Sequence, residues 1–403
     1  MAKGNAVIVQ SGGPTAVINQ SLVGLIETLR NCRSIPRIMG ALYGVRGIVE
    51  ERFMDLRKVP ASKLERVANT PAAALGSSRD KPDEAYCEKI FHVFEKHDVH
   101  YFFCIGGNDS ADATLIINEM AKAAGYEHCV FHIPKTIDND LCVTDHTPGY
   151  GSAARFVASA FMGDDRDTAS LPGVKINVVM GRNAGWLTAA AALGRIDKKC
   201  GPHLIYLPEM PFSANRFLED VCEVYARLGR CQIAVSEGIC DKTGTPVVIG
   251  LAERLGHHVE RDSHGNVQLS GSGTLGDFLF DFLKVNMRRK YRTLRVRADT
   301  FGYLQRSFAG YASPVDQREA RMAGRAAARF AMKGEKSGSV VFKRPKGPKY
   351  RISYARAELR DVARKTKQMP RKFINKMGNG ITDGFVKYAT PLLGGLPKLE
   401  KFI

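Results

Sequence analysis

Short runs of β-branched and aromatic residues alternate along this chain with helical stretches of ten or more residues. The short runs predict β-strands at Ala6–Val9, His100–Ile105, Val130–Ile133, Ile176–Val179, His203–Leu207 and Gln232–Ser236. The longer stretches predict helices at Ala16–Arg30, Asp83–Lys96, Ala111–Ala124, Gly151–Met162, Asn215–Leu228 and Val315–Met332. This alternation is typical of a mostly parallel sheet with crossover helices, so we predict an α/β fold.

The composition is that of a globular protein. The 403 residues are 44% hydrophobic and 25% charged, which suffices for two α/β domains or one large domain. The longest aliphatic stretch, Leu187–Leu193, is far shorter than the roughly 20 residues of a membrane span, and the N-terminal sequence lacks a secretory signal. We therefore expect a cytoplasmic protein that binds no membrane. Nine scattered cysteines without a Cys-x-x-Cys pair favour free thiols over disulfides or zinc.

The net charge of +18 raises the question of a partner for the basic residues. Lys and Arg are dense between Lys336 and Lys376, a segment that could contact nucleic acid, an acidic membrane, a neighbouring subunit or phosphorylated ligands. It has few aromatic residues and no zinc-finger spacing, so we expect a solvated or subunit-packing face and no nucleic-acid site. Its apolar residues, among them Val340–Phe342 and Phe373–Ile374, predict ordered packing.

The most informative residues lie directly after the predicted strands, because open α/β sheets bind ligands at the carboxyl ends of their strands. Three of these positions are glycine turns, Gln10–Thr15, Gly106–Ser110 and Met180–Gly185. Glycine allows a close approach to a ligand, and a helix N-terminus attracts anions, so these turns are suited to phosphate. The fourth position, Pro134–Asp140, has the sequence PKTIDND and concentrates a lysine, a threonine and two carboxylates.

Cationic residues accompany these turns, at Arg79, Lys135, Arg182 and Arg306. Arginine binds phosphate through paired hydrogen bonds, so several such groups predict a ligand with more than one phosphate. The turns have neither the Gly-x-Gly-x-x-Gly spacing of dinucleotide-binding proteins nor the Gly-x-x-x-x-Gly-Lys-Ser/Thr spacing of P-loop enzymes. Both of those classes are therefore disfavoured.

Taken in order, these motifs resemble those of the phosphofructokinase family between about residues 5 and 330. The motifs are Gly12-Gly13, Gly76-Ser-Ser-Arg79, Gly106–Ser110, Pro134–Asp140, Met180-Gly-Arg182, Ser236-Glu-Gly238 and Gly302–Arg306. The resemblance implies an α/β fold of two Rossmann-like three-layer domains with mostly parallel sheets and the active site in the cleft between them. It places a phosphoryl-donor domain at 1–147 plus about 307–345, a sugar-phosphate domain at 148–306, and a basic extension packed on the body at 346–403.

The sequence looks most similar to the pyrophosphate-dependent branch of that family. Relatives that use ATP usually have glycine at the positions of Asp109 and Lys135, and many have histidine at that of Tyr303. A carboxylate at Asp109 would repel a nucleotide α-phosphate, whereas an ammonium at Lys135 can neutralise a transferring phosphate. The resemblance implies reversible, Mg²⁺-dependent transfer of a phosphoryl group from pyrophosphate to the 1-hydroxyl of fructose 6-phosphate, giving fructose 1,6-bisphosphate and phosphate.

The resemblance also implies a role for each motif residue. Asp138 is the general base, and Lys135 and Asp109 are the other catalytic residues. The donor-binding residues are Gly12, Gly13, Arg79, Asn108 and Ser110. The substrate-binding residues are Thr136, Ile137, Asp138, Asp140, Met180, Gly181, Arg182, Glu237, Arg297, Tyr303 and Arg306. Mg²⁺ is assigned to Asn108 or Asp109, although Asn108 is an amide where several relatives have a carboxylate.

Alternatives from two classes stay open. An ATP-dependent 6-phosphofructokinase or related sugar kinase would share the fold, and lipid or NAD kinases use a related Gly-Gly-Asp loop. A nucleic-acid-binding or regulatory protein without catalysis would have no need of the base Asp138. Sites in the family are completed across subunit boundaries, which implies a homodimer or homotetramer in which Arg297 acts on the neighbouring subunit.

Overall fold

The structure is a computed structural model that describes residues 3–254, 273–347 and 349–401. The chain divides into two compact units and passes through each of them twice. The first unit contains Met1–Ser152 and Arg306–Lys367. The second unit contains Ala153–Gln305 and Gln368–Ile403.

Each unit has its own sheet, built from the strands of the described residues. In chain order these are β1 (Asn5–Gln10), β2 (Ile38–Ala41), β3 (Phe53–Asp55), β4 (Val99–Gly106), β5 (Cys129–Pro134), β6 (Val174–Val179), β7 (Leu204–Tyr206), β8 (Cys231–Ser236), β9 (Val296–Thr300), β10 (Ser337–Lys343) and β11 (Ser353–Ala357). The first sheet has the order β11-β10-β5-β4-β1-β2-β3 and the second has the order β7-β8-β6-β9. Neighbouring strands are parallel except for the pairs β2–β3 and β10–β11, which are antiparallel.

The helices occupy most of the chain between the strands. The α-helices are α1 (Ile18–Leu29), α2 (Arg46–Val49), α3 (Ala61–Ala68), α4 (Glu84–Lys96), α5 (Asn108–Ala123), α6 (Tyr150–Ser170), α7 (Trp186–Ala189), α8 (Ala214–Leu228), α9 (Val247–Arg254), α10 (Thr274–Met287), α11 (Pro314–Met332), α12 (Leu359–Val362) and α13 (Asp383–Ala389). Short 3-10 helices lie at Ala190–Gly194, Gly302–Arg306, Arg371–Phe373 and Thr390–Leu393. No helix in the described part of the chain has both the length and the apolar character needed to cross a bilayer.

The central strands of the first unit's sheet are buried on both faces. All six residues of β1 are buried, and because side chains alternate along a strand they enter two different apolar clusters. Ala6 and Ile8 pack with residues of α1 and α11, whereas Val7 and Val9 pack with residues of α4 and α5. A strand covered on both faces is apolar throughout, which explains why these strands stand out in the sequence.

Helices α1 and α11 approach each other so closely that glycine is required at their contact. A β-carbon at Gly24 would lie 2.1 Å from the carbonyl oxygen of Arg321, and one at Gly324 would lie 2.0 Å from that of Ser21. The Ser21 hydroxyl donates to the carbonyl of Ala320 at 2.9 Å. Any larger residue at either glycine would push the helices apart. This contact joins the two chain segments of the first unit.

Two of the apolar groups in the described part of the second unit involve different segments of its chain. In the first, Ile176 of the sheet packs in one cluster with Phe217 of α8 and Leu279 of α10. In the second, the ring of Trp186 lies 6.0 Å from that of Phe373 and also contacts residues of α13. The residues after Gln368 therefore form part of the second unit's core.

The predicted strands and helices are present, with most ends shifted by one to three residues. Helix α5 begins at Asn108, earlier than the predicted Ala111, because polar residues form its first turn. Helix α6 continues past Met162 to Ser170, since its last two turns are mainly polar and carry no periodic apolar signal. All nine cysteines are free thiols.

The basic segment differs from the single extension that was expected over 346–403. Val340–Phe342 are buried in β10, and β11 pairs with β10 in the sheet of the first unit. The first unit continues to Lys367, and only residues from Gln368 onwards belong to the second unit. The antiparallel pairing of β11 with β10 keeps the chain in the first unit beyond the predicted boundary at residue 345.

Candidate active site

The turn after β1 brings the backbone of Gly12 and Gly13 next to two cationic side chains. Gly12 has a φ of +74°, a left-handed conformation that favours glycine, and its N–H donates to the Ser78 carbonyl at 3.1 Å. The Gly13 carbonyl accepts a hydrogen bond of 2.6 Å from Lys135 Nζ. A β-carbon at Gly13 would lie only 3.0 Å from Arg306 Nη1. The absence of side chains at the glycines therefore lets both cations reach the main chain.

The turn after β4 leads directly into helix α5. Gly107 precedes the helix, and Asn108, Asp109 and Ser110 form its first turn. A β-carbon at Gly106 would lie 2.0 Å from Ser110 Oγ, so this turn also requires glycine. The first N–H groups of a helix have no partner within it and carry the positive end of the helix dipole. An anion such as phosphate is therefore stabilised at this position.

Lys135 provides a buried ammonium group beside both turns. The residue is 3% exposed, and its main-chain N–H donates to the Gly106 carbonyl at 2.9 Å. Burial, followed by the positive charge of Arg306, lowers the pKa of Lys135 to about 8. At neutral pH the amine is still mainly protonated, so it can neutralise negative charge on a bound phosphate.

Asp138 is a partly exposed carboxylate in the loop after β5. Its neighbours Ile137 and Asn139 are buried, whereas Asp138 is partly exposed. Its main-chain N–H donates to Thr136 Oγ1 at 3.1 Å, which fixes the local turn. The negative charge of Asp138 acts on the pKa of Lys135, so the two groups lie near each other. A carboxylate in this position can accept a proton from the hydroxyl group of a ligand.

Asp140 and Asn108 form a hydrogen bond that joins the loop after β5 to the first turn of α5. Asn108 Nδ2 donates to Asp140 Oδ2 at 2.7 Å. Burial, followed by the charge of Asp138, raises the pKa of Asp140 to about 7. The Oδ1 atoms of Asn108 and Asp140 are buried and accept no hydrogen bond within the described residues. Mg²⁺ prefers oxygen ligands, so these two atoms fit a magnesium site.

Arg79 and Arg306 reach this region from other segments of the first unit. Arg79 is exposed, and its charge contributes to the lowered pKa of Lys135. Arg306 lies beside Gly13 and belongs to the first unit. The sequence predicts Arg306 as a ligand of the sugar phosphate. The structure places it next to the predicted donor-binding residues.

In the second unit, the turns after β6 and β8 are tied to each other. Gly181 has a φ of +142°, and its carbonyl accepts a hydrogen bond of 2.6 Å from Ser236 Oγ. The N–H of Gly181 donates to Glu237 Oε1 at 3.3 Å. A β-carbon at Gly238 would lie 2.0 Å from the Arg182 carbonyl oxygen. The structure therefore brings these two predicted sugar-binding motifs into one cluster.

Gln305 joins this cluster, although the sequence motifs give it no role. The N–H of Met180 donates to Gln305 Oε1 at 3.3 Å, and Gln305 Nε2 donates to the Gly302 carbonyl at 2.8 Å. Gln305 is 2% exposed, so it links the short helix Gly302–Arg306 to the end of β6 from within the protein. Its position inside a recognised motif was the only signal in the sequence that could have identified it.

Two predicted sugar-binding residues of the second unit are more exposed. Tyr303 is 45% exposed. Arg297 lies on β9 with its side chain about half exposed, and its guanidinium is 3.9 Å from the carboxylate of Asp167. Among the described contacts, Arg297 meets Asp167 and not the cluster at the ends of β6 and β8.

The chain matches the model of a known protein family. The family model described as "Phosphofructokinase" matches residues 5–331, which is most of the chain. The chain therefore belongs to the phosphofructokinase family. All the motifs that carried the resemblance lie within the matched residues, and the segment 332–403 lies beyond them.

Individual relatives cover more of the chain than the family model does. A pyrophosphate–fructose 6-phosphate 1-phosphotransferase from Rhodospirillum rubrum is 54% identical over 398 residues, which are 98% of this chain and 96% of that protein. A protein of the same name from Xanthomonas campestris pv. campestris is 38% identical over 98% of this chain and 93% of its own length. The crystal structure of a pyrophosphate-dependent phosphofructokinase from Marinobacter aquaeolei superposes with a TM-score of 0.84 at 31% identity, covering 98% of this chain and 94% of that one. The predicted family and fold are confirmed.

Proposed function

We propose that this chain transfers a phosphoryl group reversibly from pyrophosphate to the 1-hydroxyl of fructose 6-phosphate, giving fructose 1,6-bisphosphate and phosphate. The observation that carries the proposal is a buried ammonium, Lys135, close to the partly exposed carboxylate of Asp138. The names of the relatives from Rhodospirillum rubrum and Xanthomonas campestris support it, because each matches 98% of the chain. In this proposal the chain is a pyrophosphate-dependent 6-phosphofructokinase.

Asp138 acts as the general base. It accepts the proton of the 1-hydroxyl while the hydroxyl oxygen forms a bond to one phosphorus of pyrophosphate. The bond from that phosphorus to the bridging oxygen breaks, and the departing phosphate keeps both electrons. In the reverse direction Asp138 returns the proton to the sugar oxygen. Phosphoryl transfer depends mainly on alignment and charge neutralisation, so one carboxylate base is sufficient.

Lys135 stabilises the charge on the pyrophosphate and on the departing phosphate. Its Nζ is held 2.6 Å from the Gly13 carbonyl, and a fixed charge in a buried site acts more strongly than one in water. Arg79 and Arg306 add positive charge, and repulsion from both contributes to the low pKa of Lys135. A bound pyrophosphate would offset that repulsion, which favours occupation of the site by an anion.

Asn108 and Asp140 are the residues that fit Mg²⁺ best, together with Asp109 from the family resemblance. When bound, the cation neutralises phosphate charge and aligns the phosphate oxygens. Within the described residues, no group of three His, Cys, Asp or Glu side chains could hold a metal ion by itself. A magnesium site completed by pyrophosphate oxygens and water is in keeping with that finding. Activity should accordingly be lost with a chelator and restored by Mg²⁺.

The motifs of the second unit bind the sugar phosphate in this proposal. The carboxylate of Glu237 is buried, so it accepts a hydrogen bond from a sugar hydroxyl in a site that water reaches poorly. Arg182 and Tyr303 supply donors to the 6-phosphate, whereas Arg306 belongs to the first unit and adds its charge beside Gly13. The exposure of Arg297 suits a residue that acts on a neighbouring subunit, and the enzyme is then a homodimer or homotetramer.

Asp109 selects pyrophosphate over ATP. It lies in the first turn of α5, where the helix N-terminus attracts phosphate groups. A carboxylate at this point repels the α-phosphate of a nucleotide, whereas pyrophosphate has no third phosphate to place there. This argument disfavours the ATP-dependent alternative.

A donor screen at fixed fructose 6-phosphate tests the proposed function. We expect the parent enzyme to use pyrophosphate and not ATP in a coupled assay. Asp109→Gly should gain weak ATP activity, and the further change Lys135→Gly should raise ATP use while it lowers kcat/KM for pyrophosphate. Glu119→Gly, on the exposed side of the same helix, controls for the effect of glycine on α5.

Two outcomes of this screen would contradict the argument at different points. A parent enzyme that prefers ATP would overturn the proposed function. A complete lack of ATP activity in the double variant would leave the function intact and remove Asp109 as the selecting residue.

A further inference from the structure

The loop that carries Asp138 has an unusual backbone conformation directly after this residue. It runs from the end of β5 at Pro134 to the start of α6 at Tyr150. Asn139 has a φ of +55° and Val143 has a φ of +66°. A left-handed conformation is particularly unfavourable for a β-branched residue such as valine. Such conformations persist only where the surrounding structure holds them in place.

The later part of this loop is held by helix α11. His146 Nε2 lies 2.7 Å from Glu319 Oε2, and the N–H of Gly149 donates to Asp316 Oδ1 at 2.9 Å. These contacts begin only after residue 145. They therefore do not explain what holds the backbone between Asn139 and residue 145.

Strand β10 supplies part of the answer. The N–H of Phe342 donates to Thr144 Oγ1 at 2.8 Å, and the N–H of Asp145 donates to the Phe342 carbonyl at 2.9 Å. Lys343 Nζ donates to the Val143 carbonyl at 3.0 Å. All these contacts lie on one side of the loop, at its residues 143–145.

Lys367 contacts both sides of the strained stretch. Its main-chain N–H donates to the Asp140 carbonyl at 2.6 Å. Its Nζ donates to the carbonyls of Thr144 at 3.1 Å and Asp145 at 2.9 Å. The residue is only partly exposed, and burial lowers the pKa of its ammonium group to about 8. Lys367 thus connects the residues before Val143 with those after it.

We propose that Lys367 is a positioning residue for the general base, which it serves by fixing the loop Asn139–Asp145 behind Asp138. This inference rests on the proposed role of Asp138 as the base. Loss of the ammonium group leaves two carbonyls without their donor, and the left-handed residues are then free to relax. Because Asp138 lies next to Asn139, any relaxation moves the base relative to its substrate, and small displacements of a base reduce kcat strongly.

The position of Lys367 gives the basic segment a function within the enzyme. The residue lies beyond the residues 5–331 that match the family model, among many other lysines and arginines. Its neighbour Lys365 differs from it, since Lys365 is exposed and its Nζ is 3.8 Å from the carboxylate of Asp361. An exposed pair of this kind contributes little to stability. Lys365 is therefore a matched control in the same segment.

Steady-state kinetics of Lys367→Met, Lys367→Arg and Lys365→Met in the full-length chain test the proposal. We expect Lys367→Met to lower kcat about 10- to 100-fold in both directions, with KM for pyrophosphate and fructose 6-phosphate within about threefold of the parent. Lys367→Arg keeps a cationic donor and should restore kcat to within about threefold. Lys365→Met should equal the parent. If Lys367→Met does not fold, Lys367→Gln replaces it in the series.

Hydrogen–deuterium exchange of the peptide that contains residues 139–147 gives a second readout that does not depend on activity. Exchange should be faster in Lys367→Met than in the parent and unchanged in Lys365→Met. Unchanged exchange, or a kcat within twofold of the parent, overturns the proposal. The proposal is also overturned if the loss of kcat is matched by a lower thermal midpoint of unfolding and Lys367→Arg does not reverse it. An inactive parent would instead reject the proposed function, and the exchange experiment would still decide whether Lys367 fixes the loop.

Discussion

Two residues of the first unit's candidate site, Lys135 and Asp140, differ in burial from three predicted sugar residues of the second unit, Arg182, Arg297 and Tyr303. Lys135 and Asp140 are nearly inaccessible, and burial lowers the pKa of Lys135 to about 8 and raises that of Asp140 to about 7. Arg182 and Arg297 are partly exposed, and Tyr303 is 45% exposed. Charge neutralisation in phosphoryl transfer gains from the exclusion of water, whereas recognition of a sugar phosphate requires donors that a soluble ligand can reach.

Different side chains hold the turns of the two regions. In the second unit the carboxylate of Glu237 and the amide of Gln305 accept hydrogen bonds from the N–H groups at the end of β6. In the first unit Lys135 donates from its side chain to Gly13. Because Lys135 and Asp138 act on the transferred group in the proposed function, their loss should act mainly on kcat, whereas loss of Glu237 should act mainly on KM for the sugar.

Asp138→Asn provides the most severe test of this comparison. A neutral amide keeps the shape of the side chain but cannot accept a proton, so kcat should fall by about 10³-fold or more in both directions. KM for both substrates should stay within about tenfold. Asp361→Asn, which changes an exposed carboxylate of the same unit, is the control for steady-state kinetics. A kcat within tenfold of the parent would remove Asp138 from the role of base.

Lys135→Met should have the next largest effect on the reaction. Removal of a fixed charge that stabilises the departing phosphate is expected to lower kcat about 100-fold. KM for fructose 6-phosphate should change less than kcat, because the charge of Lys135 acts on the transferring and departing phosphate. A variant that loses only affinity for fructose 6-phosphate would contradict the division of roles between the two regions.

The same variant should change how stability depends on pH. The pKa of Lys135 is about 8 in the folded chain and 10.5 without burial, so between these values the unfolded chain binds more protons. The contribution of Lys135 to the free energy of unfolding therefore rises with pH across that window. Below pH 8 the buried charge lowers the free energy of unfolding by roughly 3 kcal/mol. In urea unfolding, the gain in the free energy of unfolding of Lys135→Met over the parent should be larger at pH 7 than at pH 10. An advantage that does not vary with pH would contradict the assigned pKa.

Glu237→Gln should have the smallest effect, and it tests the predicted sugar residues of the second unit. The loss of one charged hydrogen bond to a sugar hydroxyl is expected to raise KM for fructose 6-phosphate about tenfold. KM for pyrophosphate should not change. Glu219→Gln, an exposed position of α8 in the same unit, is the matched control. An equal rise in both KM values would show that Glu237 supports more than sugar binding.

Much of the fold could be predicted because its central strands are buried on both faces. The runs around Ile8 and Phe103 are apolar throughout, and such runs are easily recognised. The start of α5 was missed by three residues because Asn108, Asp109 and Ser110 resemble a loop in sequence. The polar composition that suits a helix N-terminus near phosphate is also what hides it from a prediction based on apolar spacing.

The contacts within the candidate site were less predictable, since they join distant positions. The hydrogen bond from Asn108 to Asp140 connects two different turns, and no local pattern encodes it. Arg306 is the last residue of the motif Gly302–Arg306, whose other residues belong to the second unit, yet it lies beside Gly13. Lys367 is one cation among many in a basic segment, and only its three hydrogen bonds to the loop distinguish it.

The return of the chain to its first unit has a consequence during synthesis on the ribosome. Residues 130–132 of β5 pair with Ser337–Ser339 of β10, and α1 packs against α11, so neither contact can form until the far end of the chain has been made. At roughly 5–20 residues per second, translation of residues 153–305 takes about 8–30 s. Throughout that interval β5 is an unpaired strand edge and the apolar face of α1 is uncovered, so the nascent first unit is a substrate for chaperones and a site for aggregation.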